Sequence, residues 1–412
     1  MLAAMLALVL IPAQAAPGDD LPIQVRRLVS QLDAPQLRER DRAEAELLAL
    51  GPKVLPLLPK DPSLLPPEQA RRLARVRARL QQESAESSLE PSTVTLRGKM
   101  PVGKVLAAIE EQTGNRLIPA DATNEIAADF DKTPFWKALD AALDRAHLGM
   151  YPYGDDGGLR IVGLAGLRPS RAARADYRGP FRFEPIQILA RRDFRAGGGQ
   201  LEVNVEIAWE PRLSPITLRQ KLAEVEAVDE NGARLTVAGP FADLEIPVEP
   251  GRTAKQVSLP FALPPRTARQ IARLSGTIGV LVPGKAETFR FDNLAAKEQT
   301  RRIATTTVVL EEVRKGAAGI EVHFRVRFDA AAGALASHRN WILDNPGWLE
   351  DRAGKRVVRS AVETTRQTAD EVGLVYTFPA EGPIESFAFV YRTATVIFST
   401  PVKYELRAIE LP

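Results

Sequence analysis

The feature that most constrains the fold is an alternating apolar pattern that occurs twice in the C-terminal half of the chain. Apolar side chains stand at every second position of 201–207 and again of 320–326. Because successive side chains of a strand point to opposite faces of a sheet, this pattern predicts strands with one buried face. The two regions share further strand and turn signals at an offset of about 115 to 122 residues, which is typical of an internal repeat. We therefore predict two tandem, mainly β, sandwich-like domains, 181–295 and 305–412, related by duplication; the alternative is coincidence among β-rich sequences.

The N-terminus carries a signal for export. Leu2 to Ile11 is an unbroken apolar run, and Ala13-Gln14-Ala15 follows it as a small-x-small sequence of the kind that signal peptidase cuts. The run is about half the length that a membrane-spanning helix needs. We expect residues 1–16 to be a signal peptide, so that the mature chain is periplasmic or secreted and has no transmembrane segment. A buried helix or an uncleaved anchor are the alternatives.

Residues 21–82 have the apolar spacing of helices, with stripes such as Val25, Leu28, Val29 and Leu32. The stretch 38–58 weakly resembles a single HEAT-type helical repeat, which implies a small helical unit. The arginines between Arg71 and Arg79 are expected to form the solvated face of a helix. Residues 81–91 are polar and indicate a linker.

The segment 93–163 predicts a small domain with the order strand, helix, strand, strand, helix, strand, strand. Pro101 and Pro134 stand at the first turns of the two helices, and Gly114 is a left-handed cap for the first. Thr133 is expected to cap the second helix, which we expect to run to about His147 and to end at Gly149. A hairpin around 154–158 closes the domain, and 164–180 is expected to be a second linker.

The segment 93–163 contains five short motifs: Val94-x-Leu96, Pro101-Val102-x-x-Val105-Leu106, Gln112-Thr113-Gly114, Ala138-Leu139-Asp140-x-x-Leu143 and Leu148-Gly149-x-Tyr151. With these motifs it resembles the short N-terminal domain of secretins and TonB-dependent receptors, the STN domain. The resemblance implies a protein-docking module of the periplasm rather than an enzyme.

Composition excludes several classes of chemistry. The chain has no cysteine, so disulfides, thiolate metal sites and cysteine nucleophiles are excluded. The three histidines, His147, His323 and His338, do not have metal-ligand spacing. Lys plus Arg is 55 against 52 for Asp plus Glu, a margin too small to indicate a nucleic-acid partner. We therefore predict no metal and no cofactor.

Carboxylate pairs remain, because two acids suffice for glycoside hydrolysis. Asp155-Asp156, Asp229-Glu230 and Glu350-Asp351 all lie next to glycines in predicted turns, where acidic residues serve the turn itself. Calcium binding in the Asp155 or Asp229 loop is a further alternative. We assign no catalytic residue.

Two tryptophans flank an Asn-Pro-Gly turn, and they form the best candidate for a recognition patch: Trp341, Asn345 and Trp348. The sequence as a whole predicts a multidomain α+β protein that binds envelope proteins without catalysis. The alternative function is binding of a cell-envelope glycan, with or without hydrolysis.

Overall fold

The computed structural model describes residues 21–59, 64–154, 156–164, 170–171, 173–195, 198–239, 243–284, 286–329, 331–336 and 339–412. The predicted signal peptide, together with Asp155 and His338, lies outside these residues. The protein is a mixed α/β structure that consists mostly of antiparallel strands. It divides into two compact units, Met1–Glu83 and Ser84–Pro412. Among the described residues, every helix is too short or too polar to cross a bilayer.

The first unit is helical. It contains α1 (Leu21–Gln31), α2 (Leu37–Ala49), a 3₁₀ turn (Pro52–Leu57) and most of α3 (Pro67–Ser87). Gly51 has a φ of 74°, a conformation that ends α2 at little steric cost because glycine lacks a Cβ. The predicted stripes form one apolar core: Val25, Leu28, Val29, Leu32, Ala43, Leu47, Val54, Leu58, Leu73, Val76 and Leu80.

The arginines of α3 differ from expectation. Arg72 and Arg77 are buried rather than solvated. The Arg72 guanidinium donates hydrogen bonds to the carboxylates of Glu68, Asp41 and Glu44, each at 2.8 Å. A long arginine stem can pack against apolar neighbours while its charged head reaches carboxylates, so charge alone does not place the residue in solvent.

The second unit begins with a small α/β module, residues 93–163. Its elements are β1 (Thr93–Pro101), α4 (Val102–Thr113), β2 (Leu117–Ile118), β3 (Glu125–Pro134), α5 (Phe135–Ala146), β4 (Leu148–Tyr151) and β5 (Leu159–Gly163). β1 pairs with β3, and a second sheet has the order β2-β5-β4. The helices and both sheets share one apolar core. Residues 81–87, predicted as part of a linker, belong to α3 instead.

Nineteen further strands form the remainder of the described structure. They are β6 (Asp176–Arg178), β7 (Phe181–Asp193), β8 (Gly198–Trp209), β9 (Thr217–Lys221), β10 (Glu226–Asp229), β11 (Arg234–Leu235), β12 (Asp243–Pro247), β13 (Ala254–Ala262), β14 (Gln270–Pro283), β15 (Ala286–Phe291), β16 (Gln299–Ile303), β17 (Thr306–Gly316), β18 (Gly319–Phe328), β19 (Gly347–Asp351), β20 (Arg356–Val358), β21 (Ala361–Gln367), β22 (Glu371–Phe378), β23 (Phe387–Ala394) and β24 (Ile397–Glu410). β6 lies in the segment 164–180 that was predicted as a linker.

These strands surround two apolar cores. The first β-core lies between the sheet β13-β8-β7-β6 and the sheet that contains β11, β10, β14, β9, β12 and β24. The second β-core lies between β16-β17-β18-β22-β21 and β15-β23-β19-β20. In both, one strand of alternating sequence, β8 or β18, directs every second side chain into the core.

One long antiparallel ladder connects the two cores. Gln270 pairs with Glu410 and Pro283 with Ile397 along β14 and β24. The same register then continues from β15 to β23, from the pair Ala286–Ala394 to the pair Phe291–Phe389. At the junction, the Gly284 amide donates to the Val396 carbonyl at 2.8 Å, so the register is kept between the two strand pairs.

This ladder exchanges strands across the predicted boundary between 295 and 305. β15 follows the first β-core in sequence but lies in a sheet of the second. β24 follows the second β-core in sequence but lies in a sheet of the first. Because strands pair through backbone hydrogen bonds between distant segments, periodicity along the chain does not reveal which sheet a strand joins.

Candidate functional site

A groove of about 830 Å³ lies between the α/β module and the outer face of the first β-core. We call it the module groove. α5 and β4 supply one wall, and β7 with β8 supply the other. The lining residues include Asp144, Met150, Arg171, Glu184, Ile186 and Glu206.

A buried ionic cluster lies beneath the module groove, centred on Arg182 of β7. The side chain of Arg182 is 0% exposed. Its Nε donates to Asp140 of α5 at 2.8 Å, and its Nη2 donates to Glu184 at 2.7 Å. Its Nη1 lies 3.6 Å from a Glu206 carboxylate oxygen. One buried guanidinium therefore faces three carboxylates.

Further donors compensate the excess of carboxylates. Tyr177 donates its hydroxyl to Asp140 and Tyr153 donates its hydroxyl to Glu206, each at 2.6 Å. Arg174 donates to the second oxygen of Glu184 at 3.0 Å. Buried charges are tolerated only when they are paired and hydrogen-bonded, and these contacts meet that requirement for most of the cluster.

Burial disfavours the charged form of two of the three carboxylates. Desolvation by burial raises the pKa of both Asp140 and Glu206 above the ordinary values, and the distance from Glu206 to Arg182 exceeds that of a hydrogen bond. Burial likewise raises the pKa of Tyr153 and Tyr177, with the neighbouring carboxylates acting in the same direction. Both tyrosines therefore act as hydroxyl donors at neutral pH.

The rim of the module groove is polar and internally paired. Arg171 contacts a carboxylate oxygen of Asp144 at 3.3 Å and donates to the Leu148 carbonyl at 2.9 Å. Ser170 donates its hydroxyl to the same carboxylate at 2.7 Å. His147 ends α5 in the left-handed conformation, with a φ of 56°, and also lines the groove. The rim groups thus have fixed positions before any ligand binds.

The groove also offers apolar surface and an outer strand. β4 stands at the end of the order β2-β5-β4 and lines the groove with Leu148, Gly149 and Met150. Ile186 of β7 is 42% exposed and lies on the opposite wall. An outer strand next to an exposed apolar side chain is a feature of sites that bind extended polypeptide segments.

The predicted recognition patch is distributed over two environments. Trp341 and Asn345 line a second cleft of about 530 Å³, and Trp348 is not among the lining residues. The Trp341 indole donates to the Ala334 carbonyl at 2.7 Å, while the Arg356 guanidinium lies 4.4 Å from the centre of the Trp348 ring. Asn345 uses its amide to donate to Tyr391 and Thr393 at 2.9 and 2.8 Å. All three side chains are half-buried.

The predicted carboxylate pairs take part in turns and ion pairs. Asp229 and Asp351 each accept two backbone N–H groups through Oδ1, at 2.8–2.9 Å. Glu230 accepts the backbone amide of Arg269 at 2.8 Å, and Glu350 accepts Arg290 at 2.7 Å. Within the described residues, His, Asp and Glu side chains form no group of three or more that could hold a metal ion.

Sequence reasoning missed the ionic cluster. The signal was present in Phe181-Arg182-Phe183-Glu184, where apolar and charged residues alternate. Alternation predicts a strand with one buried face, whereas both faces of this stretch are buried. Here the phenylalanines point into the first β-core, and the α/β module covers the charged face. Asp140, at an inward position of α5, was the second signal, because carboxylates at core positions need a partner.

Comparison of the chain with protein-family models, with curated proteins and with solved structures found no match. The resemblance of 93–163 to STN domains and that of 38–58 to a HEAT repeat therefore stay predictions.

Proposed function

We propose that this protein is an exported, non-catalytic binding or scaffold protein of the bacterial cell envelope, which acts through protein–protein contacts. Its binding site in this proposal is the module groove, and its partner supplies an extended polypeptide segment. The observation that carries the proposal is the pairing of an outer strand, β4, with the exposed apolar side chain of Ile186 across a groove of about 830 Å³.

The polar groups of the groove support binding rather than bond cleavage. Asp144 is held by Ser170 and Arg171, and Glu184 by Arg174 and Arg182. A general base or nucleophile must reach a substrate atom, whereas these carboxylates already accept hydrogen bonds from the protein. Pre-positioned groups of this kind lower the ordering cost of binding a partner.

The domain assignment belongs to the same proposal. We infer that 93–163 is an STN-like docking module and that the two β-cores are a duplicated pair of sandwich domains. The turns support the duplication: Asp229 with Gly232 and Asp351 with Gly354 make the same set of backbone hydrogen bonds, and the glycines have φ values of 82° and 81°. The offset between them lies within the repeat predicted from the sequence.

The glycan alternative finds less support. Sugar-binding tryptophans present a ring face to the ligand. The Trp348 ring is covered by Arg356, and the Trp341 ring packs against Phe328 at 5.9 Å between ring centres. Nearby Glu350 is engaged by Arg290.

Photocrosslinking in intact cells tests the proposal. Ile186 is replaced by a photoreactive phenylalanine analogue, and Val358, an exposed apolar residue of the second β-core, is replaced in the same way as the control. The proposal expects one envelope protein to be recovered with the first variant and not with the second. Identical adducts from both positions, or glycan fragments in place of a protein, would overturn it.

The same material tests export. Mass spectrometry of the N-terminal peptide is expected to show a mature terminus near Ala16, in the periplasmic or secreted fraction. Recovery of the peptide beginning at Met1 from the cytoplasmic fraction would contradict the proposed location.

A further inference from the structure

The β7–β8 hairpin, on the opposite end of β7 from the ionic cluster, carries a cationic and apolar surface. Arg191, Arg192 and Arg195 are exposed, and Phe194 between them is 90% exposed. Arg266 is exposed on a neighbouring loop, and it lines the same shallow cavity of about 300 Å³ as Arg191 and Phe194. We call these five residues the hairpin surface.

The positive charges of the hairpin surface are not balanced across the ladder. Arg191 pairs with Gln200 and Arg192 pairs with Gly199, so the cross-strand neighbours carry no charge. Among the described residues, none of the four arginines has an ion-pair partner. Asp193 is the one acidic residue between them, and its carboxylate accepts the Arg195 amide at 2.7 Å.

The base of the hairpin is held firmly. The Leu263 amide donates to the Gly199 carbonyl at 3.1 Å, and a Cβ at Gly199 would lie 2.6 Å from a Leu263 methyl group. This packing positions the base of the hairpin against the neighbouring loop. Phe194 presents its ring to water, and transfer of such a ring into an apolar environment is favourable.

We propose that the hairpin surface docks the protein on an anionic lipid bilayer. In this arrangement the arginines contact lipid phosphates and Phe194 inserts at the boundary between headgroups and acyl chains. Arginine with an adjacent aromatic residue is the chemistry of interfacial membrane binding, since the cations are attracted to anionic headgroups and the ring leaves water. A site for a soluble polyanion would need the arginines but not the exposed phenylalanine.

The test is co-sedimentation of the mature protein with vesicles. Phosphatidylcholine vesicles with about one-third phosphatidylglycerol are compared with pure phosphatidylcholine at low salt, where charge attraction is least screened. We expect binding to the anionic vesicles only. Each basic residue near such a surface contributes roughly fivefold to partitioning, so the double variant Arg191→Glu, Arg192→Glu is expected to bind at least about 25-fold more weakly.

Phe194→Ser separates the lipid from other anions. We expect it to weaken vesicle binding about tenfold, because the buried ring contributes hydrophobic free energy. The matched controls, Arg352→Glu and Val358→Ser, change an exposed arginine and an exposed apolar residue of the second β-core and should bind as the wild type does. Equal losses in the controls, or equal binding to uncharged vesicles, would overturn the proposal.

A short DNA duplex serves as the competing polyanion. If it displaces the protein from vesicles and Phe194→Ser binds them normally, the surface binds polyanions in general, and the lipid proposal is wrong. Because the module groove is not altered by these variants, the crosslink from position 186 can succeed or fail independently.

Discussion

The two β-cores share a ladder and a turn but differ in what covers their outer faces. In the first, the pair Phe183–Ile207 points into the core, and Arg182, Glu184 and Glu206 around it are buried beneath the α/β module. In the second, the pair Val308–Val326 points into the core. Arg325, which precedes Val326 in β18, remains 30% exposed and pairs with Glu311 at 3.2 Å.

The difference shows that the contribution of charged residues on a sheet face depends on whether water or another domain covers that face. Charged residues on an outer face make loose surface ion pairs when water covers them, and each such pair contributes about 0–1 kcal/mol. When another domain covers the face, the same kind of residue must be fully paired, and removal of one partner costs several kcal/mol. In the first β-core the ionic cluster therefore fixes the position of the module and of its groove.

The largest expected effect comes from removing the central cation of the cluster. Arg182→Met leaves three buried carboxylates without their guanidinium, and we expect the free energy of unfolding to fall by about 3–5 kcal/mol. Arg325→Met, which changes a partly exposed arginine on the outer face of β18 in the second β-core, should cost about 0–1 kcal/mol. Urea unfolding of both variants measures the difference. Equal decreases in the free energy of unfolding would show that an arginine on the covered face contributes no more to stability than one on the open face.

Core substitutions on the exchanged strands sharpen the comparison. Phe291→Ala on β15 and Leu406→Ala on β24 each remove a fully buried side chain and should cost about 2–5 kcal/mol. Hydrogen exchange should show loss of protection in β17 and β18 for Phe291→Ala, and in β7 and β8 for Leu406→Ala, because each strand belongs to the core on the other side of the predicted boundary between 295 and 305. The reverse assignment would refute the strand exchange.

The matched turns should respond alike. Asp229→Ala and Asp351→Ala each remove two hydrogen bonds to backbone amides, and we expect each to cost about 1–2 kcal/mol. Asp→Asn at the same positions keeps the Oδ1 acceptor and should cost less. Thermal unfolding measures the four variants; a large cost at one turn with none at the other would argue against duplicated roles.

The smallest effect concerns pH. Because burial raises the pKa of Glu206 in the folded state, the folded protein holds this proton more tightly than the unfolded chain does. The free energy of unfolding should therefore fall as pH rises from the ordinary glutamate range through the raised pKa. Glu206→Gln should reduce this decline, measured by urea unfolding across pH, and Asp140, whose pKa is also raised by burial, accounts for the part that remains.

Tyr153→Phe provides the complementary variant. It removes the hydroxyl that stabilises the Glu206 carboxylate, so the pKa should rise further and the decline should extend to higher pH. An unchanged profile in both variants would contradict the assignment to Glu206.

Helices and turns could be predicted closely where interactions within a few residues determine them. α4 ends at Gly114, which has a φ of 69° and donates its amide to the Glu110 carbonyl, as the sequence indicates. The cap of α5 was predicted less well. Thr133 makes no capping bond to α5, because Pro134 takes the N-cap position. The last helical residue is Ala146, and the left-handed His147 is the C-cap, close to the predicted end near His147.

The candidate site could be predicted only in part. The docking module was expected near 93–163, but its groove depends on β7, which lies outside that segment. Trp341 and Asn345 line one cleft, whereas the Trp348 ring stacks against Arg356 and is not among the lining residues. The recognition patch of these three half-buried residues stays a prediction. An aromatic side chain is expected to contribute a large contact area, but its presence in the sequence does not indicate which residues it contacts.

The amino-acid sequence by itself determined the strands, the helices and the Asp–Gly turns of this protein, because alternation, helical spacing and turn hydrogen bonds act over a few residues. Tertiary structure alone decided that β15 and β24 exchange cores and that Arg182 is buried. Both outcomes depend on backbone pairing and on desolvation by segments far away in the chain. The free energy of such contacts depends on which segment covers a sheet face, and no local sequence pattern indicates that segment.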